Sequence, residues 1–66
     1  MNAVKETRSR RGITQERLAE LTGVARQSII SIEKGRFLPT IETALRMAEA
    51  LRVQIEDLFW LTDEIK

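Results

Sequence analysis

Arg26 and Gln27 are neighbours in the sequence, and between them they carry two kinds of planar hydrogen-bonding fork. A guanidinium presents parallel donors that match two adjacent acceptors, such as O6 and N7 of guanine; an amide donates and accepts at once and matches N6 and N7 of adenine. Each such pair discriminates between bases by roughly 1 to 3 kcal/mol. Other chemistry is poorly supplied. There is no histidine and no cysteine, so disulfides and the usual zinc-ligand sets are excluded, and the carboxylates are scattered along polar faces with no glycine-rich phosphate loop. The residues point to recognition, not to an enzyme, and require neither cofactor nor metal.

Two adjacent forks work together only if a helix holds both outward. Thr14 is placed to cap a helix beginning at Gln15, accepting from the amide of Glu16 or Arg17, with Leu18, Ala19 and Leu21 on its buried face. Gly23 closes that helix and opens the tight turn Thr22-Gly23-Val24-Ala25. A second helix over 26–34 buries Ile29 and Ile32, three apart, and turns Arg26, Gln27, Ile30, Ser31 and Lys34 outward. Two short helices crossing steeply need small residues where they approach, and Ala19 and Gly23 supply them. The outward face of the second helix is then the part that enters a groove. Ile30 shares that face although it is apolar: it contacts a thymine methyl group, is tolerated in the open, or buries against a neighbouring side chain.

Apolar residues recur at three and four residue spacings along almost the whole chain, which predicts helices and turns throughout. Helix 1 is expected from about Asn2 to Arg11, with Val4 and Thr7 inward and Gly12 as its stop. The segment 36–39 is extended because proline disfavours a helical residue before it, and Thr40 caps helix 4. Ile41, Ala44, Leu45, Ala48 and Leu51 form the apolar stripe of that helix, with Met47 beside it. Val53 and Gln54 turn into helix 5, from Ile55 to about Leu61, and Thr62 to Lys66 is a loose tail. The expected core is Val4, Leu18, Ala19, Leu21, Val24, Ile29, Ile32, Leu45, Ala48, Leu51, Val53, Ile55 and Leu58. The class is all-α: one domain over 1–66, folded as a compact five-helix bundle.

With 66 residues the core is small, and packing against a partner subunit would supplement it. The net charge is only +1, but it is unevenly spread: residues 1–36 carry eight basic and four acidic groups, and residues 37–66 three basic and six acidic. A basic half that faces phosphates, joined to an acidic half that avoids them, is the polarity of a nucleic-acid binder. No apolar run reaches the roughly 20 residues needed to span a bilayer, and the first residues lack the apolar stretch of a signal peptide. The expectation is a soluble, cytoplasmic protein without membrane contact.

Thr14-Gln15-Glu16, Leu18-Ala19, Gly23-Val24, Arg26-Gln27-Ser28-Ile29, Ile32-Glu33-Lys34-Gly35-Arg36 and Pro39-Thr40 all stand in one register. In this the sequence closely resembles the phage Cro and repressor family, also called the xenobiotic-response-element type of helix–turn–helix, over residues 4 to 61. The resemblance implies a bundle of the lambda-repressor-like DNA-binding type, with the helix–turn–helix unit at 15–34, dimeric binding to a palindromic operator in double-stranded DNA, and transcriptional regulation. Residue by residue, it implies that Gln15 clamps a backbone phosphate and braces the recognition helix. Arg26 and Gln27 match the principal base-reading positions, Ser28 and Ser31 secondary ones, and Lys34 and Arg36 phosphate-contacting positions. In some relatives the position of Glu33 pairs with an arginine of helix 1, here Arg8; the alternative is a solvated Glu33. Three positions depart from the pattern: Ala25 where a capping Ser or Thr is usual, Arg52 in place of a glycine after helix 4, and Gln54 in place of a better cap for helix 5.

Leu58, Phe59, Trp60, Leu61 and Ile65 crowd large apolar groups together, and one helix cannot turn all of them inward. Phe59, Trp60, Leu61 and Ile65 are therefore a candidate homodimer interface, with the alternative that Trp60 and Ile65 fold back as a lid over the core. The leading functional expectation is a repressor or autoregulator. The alternatives are the antitoxin of a toxin pair, which usually needs a toxin-binding segment that this chain has little length to provide, and a protein-interaction adaptor, which would not need Arg26, Gln27 and Lys34 outward. No small-molecule ligand is evident.

Overall fold

The computed structural model describes residues 2–61. Five helices follow one another: α1 (Val4–Arg10), α2 (Gln15–Thr22), α3 (Arg26–Glu33), α4 (Ile41–Leu51) and α5 (Ile55–Leu58). The expected all-α bundle is present, with shorter ends to α1 and α5. No described helix is long and apolar enough to cross a membrane. The expected tail and Ile65 lie outside the described residues.

The helix boundaries follow from local chemistry. Thr14 caps α2 by accepting from the amide of Arg17 at 3.0 Å, and Thr40 caps α4 by accepting from that of Thr43 at 3.1 Å. Neither Ala25 nor Gln54 provides a side-chain cap. Helix α5 stops after four residues because Phe59 is extended, at φ −132° and ψ 137°. There Asn2 and Phe59 form an antiparallel bridge, and the amide of Ala3 donates to the carbonyl of Leu58 at 2.9 Å. The Asn2 side chain extends this connection, donating to the Ile32 carbonyl at 2.9 Å and accepting from the Val4 amide at 3.2 Å. The beginning of the chain, the end of α5 and the last turn of α3 are thus tied at one place.

The core is Val4, Leu18, Ile29, Ile32, Met47, Ala48, Leu51 and Leu58, with Ile13, Ala19, Val24, Ala50, Val53, Ile55 and Phe59 packed around it. Helix α2 packs against both α3 and α4, while α1 meets α3 and α5 meets α4. Three expected positions are corrected. Leu21 and Leu45 are about half exposed, at 45% and 51%, and Ile41 is 74% exposed. In α4 the buried residues Ala44, Met47, Ala48 and Leu51 follow an i, i+3, i+4, i+7 spacing, so Leu45 lies one step off the stripe and Met47 fills the core position expected of it. Ile41 begins the helix, beyond the reach of the elements that cover its centre.

Candidate nucleic-acid interface

Ile29 and Ile32 are completely buried and fix the rotation of α3. Side chains on a helix advance by about 100° per residue, so burying those two turns Gln27 to the opposite side and leaves Arg26, one turn before Ile29, on the flank at the helix start; both are exposed. Ser28 and Ser31 lie half-buried beside them. Lys34 caps the C-terminal end of α3 and is exposed, as is Arg36. Arg26, Lys34 and Arg36 form no ion pair with another described residue, which leaves their charge available to an outside anion. Ile30 is half-buried.

The turn that sets α3 against α2 rests on Gly23, at φ 72° and ψ 18°. Its amide and that of Val24 both donate to the Ala19 carbonyl, at 2.9 and 3.2 Å. The need for glycine here is conformational and not steric. A Cβ at Gly23 would stand 3.8 Å from Nη1 of Arg46, an ordinary contact, but the left-handed backbone disfavours any L side chain.

Two clefts divide the face. One, of about 460 Å³, is lined by Arg8, Thr14, Gln15, Glu16 and Arg26 at the start of α2; Arg8 is paired with Glu33 there, so Arg26 is its one cation without an ion pair among the described residues, set beside the Glu16 carboxylate and the helix start. The other, of about 320 Å³, is lined by Gln27, Ser28, Ser31, Arg36 and Phe37. Phe37 had no role in the sequence reading, yet it is half exposed at this edge; its signal was an aromatic residue directly after Arg36 in a segment too short and too extended to enter the core.

Glu33 connects the first cleft to α3. Its carboxylate accepts from Arg8 Nε at 2.7 Å and Nη2 at 3.4 Å, and from Gln15 Nε2 at 3.1 Å. The Arg8–Glu33 pair is nearly buried, with 13% and 4% side-chain exposure, so of the two expectations for Glu33 the paired one is correct. Arg8 also donates to the Ile13 carbonyl at 2.9 Å. Because a carboxylate only accepts, the nitrogen of the Gln15 amide must face it. Gln15 is therefore braced against the end of α3 as expected, while its second N–H remains.

A third cleft, of about 260 Å³, lies away from this face and is lined by Leu38, Pro39, Ile41, Ala44, Ile55, Phe59, Trp60 and Leu61. Of the three interface candidates within the described residues, Leu61 is 93% exposed, Trp60 is partly exposed, and Phe59 is half-buried against the core. Leu38 and Ile41 extend the apolar surface and were not foreseen there.

A helix–turn–helix family profile matches residues 4–58. The chain is 46% identical over 63 residues to an uncharacterized helix–turn–helix-type transcriptional regulator, YgzD of Bacillus subtilis, covering 96% of each chain. It is 38% identical over 53 residues to the cryptic phage CTXphi transcriptional repressor RstR of Vibrio cholerae, spanning 77% of this chain and 47% of that one. Among solved structures, the fold is similar to that of the restriction-modification controller protein C.AhdI from Aeromonas hydrophila, with a TM-score of 0.80, 32% identity and 85% of each chain covered.

Proposed function

The chain belongs to the helix–turn–helix family of the Cro and phage-repressor type, and from that premise we propose that it is a repressor or autoregulator that binds a palindromic site in double-stranded DNA as a homodimer. The observation that carries this reading is the two-sidedness of α3: Ile29 and Ile32 are fully buried, while Gln27 is exposed on the opposite side and Arg26 is exposed beside it at the helix start. In this reading α3 lies in the major groove, Arg26 and Gln27 read base edges, and Ser28, Ile30 and Ser31 contribute secondary contacts. Lys34, Arg36 and the remaining N–H of Gln15 contact phosphates and set the register without reading sequence.

Dimerisation is supported by the apolar cleft around Ile41, Trp60 and Leu61, the sort of surface a two-fold protein buries against its copy. A two-fold dimer then requires half-sites about one helical turn apart. Repression follows from occupancy, and one relative named as a repressor supports it. Selection of bound duplexes from a random pool at fixed salt tests the proposal. Enrichment of a symmetric motif is the expected result; recovery of duplexes with no common sequence would defeat it.

A further inference from the structure

We infer that Phe37 is a specificity-determining residue that reads the methyl group of a thymine beside the bases contacted by Arg26 and Gln27. The inference rests on the DNA-reading role proposed for α3. Phe37 and Leu38 are consecutive residues in the non-helical connection between α3 and α4, and they diverge: Phe37 lines the cleft with Gln27, Ser28 and Ser31, whereas Leu38 lines the apolar cleft with Ile41 and Trp60. The exposure of Phe37, 50%, is thus not explained by the candidate dimer surface, and the ring is not part of the core.

The surroundings define what the ring can meet. Its cleft is bounded by an amide, two short hydroxyl side chains and the cation of Arg36, which leaves space over α3 with one apolar wall. A phenyl ring offers no hydrogen bond to a base edge or a phosphate. The apolar group that B-DNA displays in its major groove is the C5 methyl of thymine, and phenylalanine is suited to contact it. Ile30, the apolar residue of α3 assigned to the face, is half-buried and lines neither polar cleft.

The test uses a duplex enriched by the unaltered protein, with each thymine replaced in turn by deoxyuridine, which removes the methyl and keeps the hydrogen-bonding edge. At one position the replacement should weaken binding about fourfold, the scale of one buried methyl-sized group. Phe37→Ala should lose a similar factor on the thymine duplex and become indifferent to deoxyuridine there, with its helical circular dichroism unchanged. Ile30→Ala should retain the dependence at that position. If Phe37→Ala weakens thymine and deoxyuridine duplexes alike while the methyl still matters, the ring packs on the sugar backbone and the inference fails; an unaltered affinity also overturns it. Failure of the unaltered protein to enrich any sequence would instead bring down the DNA-reading proposal, and this one with it.

Discussion

Arg8 in α1 and Glu33 at the last position of α3 are joined by a 2.7 Å ion pair, and this link holds α1 on α3. Both groups are largely out of water, so their attraction must offset the cost of desolvation, and removing one partner strands the other. Glu33→Ala should therefore lower stability by about 3 to 5 kcal/mol, a large part of what a small domain possesses. The double replacement Arg8→Met with Glu33→Leu should restore most of the loss, because neither charge is then left alone. Urea denaturation of the unaltered protein, Glu33→Ala and the double variant checks this; a double variant no more stable than Glu33→Ala would show that a stranded charge is not the source of the loss.

Arg26 and Lys34 should fail in different ways. Arg26→Ala is expected to lose about 1 to 3 kcal/mol at a single base step and to relax the preference there, leaving other positions as they were. Lys34→Ala should weaken binding to all duplexes and reduce the slope of log affinity against log salt by about 0.9, the share of one phosphate contact. Titrations at several salt concentrations separate the two. An altered base preference in Lys34→Ala would reassign that residue to the bases.

The sequence made the reading unit legible because its constraints are local. Thr14, Gly23 and the Ile29–Ile32 pair each determine something within one or two turns: Thr14 caps α2, the isoleucines are buried, and Gly23 closes α2 through its left-handed backbone, although not through the close packing also expected of it. The Arg8–Glu33 pair was legible only as one of two alternatives, since nothing local joins residues 25 positions apart. The α4 stripe was misread by one step because Met47 and Leu45 are equally apolar, and which of them turns inward is decided by α2 and α5. The end of α5 was placed too late for a similar reason: Phe59 leaves the helix to pair with Asn2, a partner that periodicity cannot reveal. Phe37 escaped notice because the turn of the connection, and not its composition, brings the ring to α3.

Self-association should depend on the apolar cleft beside α4. Ile41 is 74% exposed, so Ile41→Lys leaves the fold intact while placing a charge in the surface that a second copy would cover. Its dimer dissociation constant should rise at least tenfold, corresponding to about 1.4 kcal/mol, and Trp60→Ala should act in the same direction. Equilibrium sedimentation measures both. Unchanged association in the two variants would mean that these residues shield the core of a single chain.

Arg52 occupies a left-handed conformation, at φ 60° and ψ 46°, where a Cβ crowds the following carbonyl. Relief of that crowding outweighs the greater unfolded-chain freedom of glycine at this position. Arg52→Gly should stabilise the domain by about 1 kcal/mol, raising the melting temperature by roughly 4 to 8 °C. The change leaves the carbonyl that accepts from Arg11 at 3.2 Å. A lower melting temperature would show that the arginine side chain contributes more than its backbone costs.

The bridge between Asn2 and Phe59 also bears on the order of folding. Val4 is buried in the same core as Leu58, and the amide of Ala3 has its acceptor on that residue, so the seating of α1 is completed only when the end of α5 is in place. Contacts of such large sequence separation close late. The bundle consequently closes as one cooperative unit, and loosening the strand-like contact at Phe59 should free α1 and α5 together.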